Sequence, residues 1–200
     1  MRVRAEKPRY DDSTTLAAAR AAFFEHAGLG GDGGYGAAWV RVEAKPFPFS
    51  FPNTRGRVAA AKLHDLHHIA TEYDTDWTGE AEIGAWEIAG GCGAYGWAWV
   101  LNLGAFLVGM VRSPRRLFAA FVTGRRARNL YHSGFPDGRL TEVTVGMLRE
   151  QLHGSSSPAR ATRADVAAFM GWCAIAVLWH ATLTAAAIAV AVALWSAIRR

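Results

Sequence analysis

A compact all-α domain, with an N-terminal loop-rich segment before it and a C-terminal transmembrane helix after it, is the fold class this chain predicts. Three observations lead there. Five consecutive blocks between residues 54 and 152 read as helix. Extended signals are confined to one short strand at 38–43 and a Pro/Phe-rich stretch at 45–52. The 33 residues from Val166 to Ile198 carry no charge, although 20% of the whole chain is charged.

Composition excludes several classes. With 200 residues, 51% of them hydrophobic, the chain can build a core and is neither disordered nor fibrous. The net charge of +5 does not describe a nucleic-acid face. Without Arg199 and Arg200 the balance is 20 basic against 17 acidic residues, or +3, and the arginines cluster beside apolar sequence. No nucleic-acid partner is expected.

Taken in order, Ser13 or Thr14 caps a first helix that Gly28 ends. The glycine-rich stretch 28–36 contains a Gly-x-Gly-x-x-Gly match, but a helix precedes it where a nucleotide fingerprint needs a strand, so it reads as a turn. Pro46, Pro48 and Pro52 forbid helix, and Phe47, Phe49 and Phe51 need an apolar surface, either the core or lipid. Helices are then expected at 54–73, 79–89, 97–110, 114–130 and 140–152. Ser113 followed by Pro114 is a good helix start. Residues 154–158 read as a linker, and Thr162-x-x-Asp165 as a variant capping box opening the last helix.

That last helix exceeds the roughly 20 residues needed to span a bilayer. Trp172 and Trp195 stand 23 residues apart, or about 35 Å on a helix, which suits the two aromatic belts of a membrane. The N-terminal residues lack a secretory pattern, and Cys92 and Cys173 show neither metal nor disulfide spacing. Both cysteines read as small buried hydrophobes. The body is therefore expected on the cytoplasmic side of the cell (inner) membrane.

Chemistry concentrates in the segment from Lys62 to Glu80. On a helix His64 and His68 share a face, and Asp65 reaches the same side. A short break at 74–78 lets Glu80 fold back onto them. Two imidazoles and carboxylates form a mixed nitrogen and oxygen donor set, suited to zinc, iron, manganese or cobalt. The zincin pattern is absent, because Asp65 stands where a general-base Glu would follow the first His.

The run His64-Asp65-x-x-His68, then eleven residues, then Glu80 resembles the signature of the fourth coenzyme Q (ubiquinone) biosynthesis protein family. Thr75-Asp76 before Gly79-Glu80, the segment Gly124–Tyr131 and the segment Leu148–Leu152 resemble it further, over roughly residues 60–153. The resemblance implies an all-α, membrane-associated protein that binds a divalent metal and a prenylated aromatic lipid. The implied reaction replaces the carboxyl of a prenylated hydroxybenzoate with a hydroxyl, alongside other quinone-biosynthesis proteins. It makes His64, Asp65, His68 and Glu80 the metal ligands, and through that metal the catalytic residues.

Neighbouring residues have more than one use open to them. His67 lies beside the site or on the surface. Glu82 and Glu87 either orient a ligating histidine or serve in salt bridges. The uncharged run from Ile88 to Val111 holds six glycines, and fits a lipid-tunnel helix, an interfacial helix or ordinary core. Arg112, Arg115 and Arg116 follow it, as headgroup contacts or a solvated face. The organisation expected is a lead-in at 1–54, a metal- and lipid-binding helical domain at 55–153, a linker at 154–165 and an anchor at 166–198. A non-catalytic prenyl-lipid scaffold is the alternative function, and a metal-dependent lipid hydrolase a third.

Overall fold

A computed structural model describes residues 9–42, 48–135, 137–153 and 160–199. The expected linker at 154–158, together with Pro46 and Phe47, lies outside the described residues. The chain is all-α, with helices α1 (Leu16–Ala27), α2 (Arg55–Thr71), α3 (Trp77–Gly90), α4 (Gly96–Arg112), α5 (Pro114–Gly124), α6 (Leu130–Ser133), α7 (Val145–His153) and α8 (Arg163–Ile198). Among the described residues, one hairpin of β1 (Trp39–Val42) and β2 (Phe49–Pro52) interrupts them.

Local signals explain most boundaries. Thr15 accepts from the Ala18 amide at the start of α1, one residue beyond the expected cap. Gly28 closes that helix in the left-handed region at φ 67°, where a side chain would be strained. Thr54 caps α2 and Asp76 caps α3 through the Thr78 and Gly79 amides. Thr162 and Asp165 form the reciprocal capping box of α8.

Two expectations are corrected and one is sharpened. Within the extended Pro/Phe stretch, Phe49–Pro52 is a second strand, antiparallel to the first with Val40 opposite Phe51, and Phe51 finds its apolar surface on Trp97 at 5.4 Å. The helix expected over 114–130 stops at Gly124, and Asn129 caps the new turn α6 through the Tyr131 amide. The helix expected from 140 begins only at Val145, because Leu140 and Val143 give their carbonyls to the Ala17 and Leu16 amides of α1.

The core has two parts. One gathers α1, α2, α6 and α7 around Leu16, Phe23, Leu66, Ile69 and Leu148. The other packs α3, α4, α5 and the first half of α8 around Phe106, Leu117, Phe121 and Ala176. The N-terminal lead-in is part of the first core, since α1 packs on α2. Contact between α3 and α5 is tight at Gly124, where an added Cβ would lie 2.2 Å from the Trp86 carbonyl oxygen. Backbone cannot yield there as a side chain would. Gly124→Ala is expected to cost about 1–3 kcal/mol by overpacking, read as a lowered midpoint in chemical unfolding.

Helix α8 is 36 residues long and is, among the described residues, the one helix long and apolar enough to cross a membrane. Its first half docks on the body. Phe169 meets Phe106, Phe118 and Phe121, and Trp172 stacks on Trp99 at 5.5 Å. Arg125 and Arg126 both hold Asp165, at 2.9 and 2.8 Å. From Ala181 onward every described residue is exposed. The uncharged run 88–111 is not one helix: it turns at Gly91 and Gly93, both with positive φ, so α3 ends and α4 begins within it.

Candidate metal centre

The site lies between α2 and α3, which a tight turn joins. Glu72 ends α2 in the left-handed region at φ 57°, and its carboxylate is gripped by Arg149 at 2.5 Å. The chain then reverses, and Asp76 starts α3 so that Glu80 comes back over His64 and His68. Glu80 Oε2 lies 3.5 Å from His64 Nε2, and Oε1 lies 3.5 Å from His68 Nε2. The two Nε2 atoms are 3.1 Å apart.

Ring tautomers follow from the far side of each imidazole. His68 Nδ1 faces the Tyr73 carbonyl oxygen at 3.0 Å, which can only accept, so Nδ1 carries the proton. His64 Nδ1 donates in the same way to Glu87 Oε1 at 2.9 Å. When both rings are neutral, their Nε2 atoms are bare acceptors, pointed at each other and at a carboxylate. In that state three acceptors with no donor between them attract a cation, and without a metal a proton on His64 fills the same place. Ligands about 2.0–2.2 Å from one ion stand roughly 3–3.5 Å from each other, which matches the separations here. His64, His68 and Glu80 can thus hold a metal ion, with their donor atoms within 4.8 Å of one another.

Electrostatics agree with that demand. Burial would push His64 down, but Glu87 and Glu80 outweigh it and hold its pKa well above the ordinary 6.5. Burial would raise Glu80, yet the charge of His68 and the hydrogen bond from His64 keep it well below the usual carboxylate range. A proton on His64 stands where a metal would sit, so binding must release it. Metal affinity is expected to rise with pH through 7, and to level off once the pH exceeds the raised pKa of His64. Calorimetry at pH 7 in buffers of different ionisation enthalpy should find about one proton released per metal.

Behind the ligands, Glu87 collects a buried network. Oε1 accepts from His64 and from His67 Nδ1 at 2.7 Å, while Oε2 accepts from Asn102 at 2.5 Å and Tyr131 at 2.9 Å. His67, fully buried, accepts the Leu130 amide on Nε2 at 2.9 Å, and burial lowers its pKa, so it is neutral. Burial opposes the charge of Glu87, but His64 and the two histidine hydrogen bonds hold its pKa far below normal. The Cys92 thiol, buried beside this carboxylate, is pushed upward and stays protonated. Both cysteines are free.

Of the residues singled out from sequence, His64, His68 and Glu80 come together. Asp65 does not join them: it is buried and its carboxylate accepts from the Tyr35 hydroxyl. Glu87 orients His64, and His67 sits behind the site rather than on the surface. Glu82 instead forms a two-pronged pair with Arg116, Nε to Oε1 at 2.9 Å and Nη2 to Oε2 at 2.5 Å. Arg116 is thereby engaged, whereas Arg112 and Arg115 are exposed at the end of α4 and the start of α5. Sequence reasoning passed over Tyr35, Asn102, Asn129 and Tyr131. Asn102 did leave a signal, as the lone amide in the apolar run 88–111.

Fold and site together define a small all-α protein with a histidine–carboxylate cluster on two adjacent helices and one helix able to cross a membrane. No protein-family model matches the chain, and neither does any curated protein or solved structure.

Proposed function

We propose that this chain is a membrane-anchored, metal-dependent enzyme of ubiquinone-type quinone synthesis. Its reaction would replace the carboxyl of a prenylated hydroxybenzoate with a hydroxyl. The observation that carries the reading is the convergence of three acceptors, His64 Nε2, His68 Nε2 and Glu80, within a pattern resembling the signature of that family.

His64, His68 and Glu80 would hold a divalent ion, with zinc, iron, manganese or cobalt all suited to two imidazoles and a carboxylate. Bound there, such an ion supplies Lewis acidity toward the ring carboxylate and its adjacent hydroxyl while carbon dioxide leaves. Glu87 holds the His64 proton on Nδ1, and the Tyr73 carbonyl does the same for His68, so both Nε2 lone pairs face inward. Asp65, the remaining residue of the resembled pattern, accepts from the Tyr35 hydroxyl and stands outside this donor set. The replacement is an oxidation in which the ring gains an oxygen atom as carbon dioxide departs; with molecular oxygen as the source, its second atom leaves as water and a two-electron reductant, such as a reduced electron-carrier protein, supplies the electrons.

Helix α8 would fix the body to the cytoplasmic face of the inner membrane, where a prenylated ring resides. Arg112 and Arg115 are placed to meet anionic headgroups. Other quinone-biosynthesis proteins are the partners this reading implies. His64→Ala and Glu80→Ala, introduced in cells, are expected to stop quinone production and to accumulate the prenylated acid. Mass spectrometry of lipid co-purified with the protein is expected to find a prenylated benzoate or phenol. Metal loss with undiminished quinone synthesis would overturn the catalytic reading and leave a prenyl-lipid scaffold.

A further inference from the structure

The outer face of α4 is apolar at helical spacing. Trp97, Val100, Leu101, Val108 and Val111 stand three, four, eleven and fourteen residues along from Trp97, all on one side of the helix, and none of them is buried. Val111 is 82% exposed. At its N-terminal end the stripe runs on into the hairpin, because Trp97 stacks on Phe51 and Phe51 stacks on Phe49 at 6.1 Å, with Phe49 itself 52% exposed. At the other end stand the exposed Arg112 and Arg115. A continuous apolar surface of this kind, with aromatic residues at one end and cations at the other, marks an interaction face on a soluble-type body.

The position of α8 says what covers it. This helix packs along the flank of α4, with Trp172 on Trp99 and His180 beside Gly104. Below His180, residues 181–198 are exposed throughout, and these 18 residues measure about 27 Å, close to the roughly 30 Å of a hydrocarbon core. If they span the bilayer, the half of α8 that holds α4 stands at the membrane surface, and α4 stands there with it.

We propose that the body docks against the lipid surface through the outer face of α4 and the Phe49–Phe51 face of the β1–β2 hairpin. This inference rests on reading α8 as a membrane-spanning helix, and is independent of the metal or reaction. The occupant is the bilayer itself: the face is continuous with the spanning helix, and Arg112 and Arg115 complement anionic headgroups. The inner face of the same helix carries Asn102, which donates to Glu87 and so touches the network behind His64. The network behind the candidate metal centre therefore begins one helix diameter, about 10–12 Å, behind the lipid-facing surface.

Spin labels test the placement on the full chain in nanodiscs containing anionic lipid. Single cysteines replace Phe49, Leu101, Met147 or Val190 in a Cys173→Ala background, with buried Cys92 retained. Accessibility to oxygen, which concentrates in lipid, is compared with accessibility to a water-soluble nickel chelate. The labels at 49 and 101 are expected to favour oxygen at least several-fold over the label at Met147, an exposed residue on α7. Equal behaviour of 49, 101 and 147 overturns the proposal. So does shielding of 101 from both reagents with dipolar broadening between chains, which would place a second copy on this face. A Val190 label that favours the chelate instead overturns the spanning reading of α8, and the docking with it.

Discussion

Replacing Glu87 with Ala is expected to unfold this protein, or to leave it barely stable. The carboxylate is fully buried and accepts from His64, His67, Asn102 and Tyr131. Its removal leaves four donors facing a cavity from which water is largely excluded. Breaking a buried charged pair by deleting one partner costs roughly 3–5 kcal/mol, against about 5–15 kcal/mol for a whole domain. Glu87→Gln keeps the shape and separates stability from metal binding. Its amide nitrogen can accept nothing, so one side of the network turns repulsive and His64 loses its charged acceptor. A folded Gln variant is expected, with metal affinity lowered about 10–100-fold, the usual cost of losing a group that orients a ligating histidine. Urea unfolding and metal titration of the two variants check both parts. Wild-type affinity in a folded Gln variant would mean that Glu87 has no part in holding His64 for the metal.

The second large effect concerns the ligands themselves. His64→Ala or Glu80→Ala is expected to reduce metal affinity by more than roughly 100-fold, exceeding the loss of an orienting partner. The cost to folding should be small for Glu80, whose side chain is 36% exposed. It is larger for His64, because Glu87 keeps its charge and loses one donor. Both variants are measured by metal content after purification and by titration at pH 7.5. Repeating the titration at several higher pH values separates ligand loss from proton competition, since Glu87 and Glu80 hold the His64 pKa well above its ordinary value. Retention of stoichiometric metal by both variants would remove this cluster as a metal centre.

Much of the site was legible because it depends on helix phase. His64 and His68 are one turn apart, and Glu80 and Glu87 are two turns apart, so each pair shares a face whatever packs against it. The turn between the helices is short enough that the two faces must meet. Asp65 illustrates the opposite situation. It lies one residue from His64, a rotation of about 100° on the helix, and its partner Tyr35 comes from a loop thirty residues upstream. No spacing rule connects those two positions. Glu82 and Glu87 were both left open by the sequence reading, although helix phase puts only Glu87 on the Glu80 face, and packing then gave each its partners: Arg116 from α5 reached Glu82, while α2, α4 and α6 closed around Glu87.

Element boundaries failed where tertiary contacts overrode local preference. Residues 125–128 are acceptable helix formers, yet α5 stops at Gly124, because the Arg128 amide goes to the Leu152 carbonyl of α7 instead of back to Gly124. The helix expected from 140 begins only at Val145, because the Leu140 and Val143 carbonyls are taken by the Ala17 and Leu16 amides of α1. In both cases the deciding partner belongs to a helix distant in sequence.

Sequence by itself determined the all-α class, the long uncharged C-terminal helix with its Thr162–Asp165 cap, and the pairing of two imidazoles with Glu80. These depend on periodicity, on absence of charge and on caps within four residues, all of which are local. Tertiary structure alone decided that Asp65 goes to Tyr35, that Asn102 and Tyr131 close on Glu87 while Arg116 takes Glu82, and that Arg125 and Arg126 bind Asp165. It also decided that α4 turns one face to the buried network and the other outward. Each of these is a competition among partners far apart in the chain, and burial settles such a competition by leaving each polar group only the neighbours that packing brings within hydrogen-bonding distance.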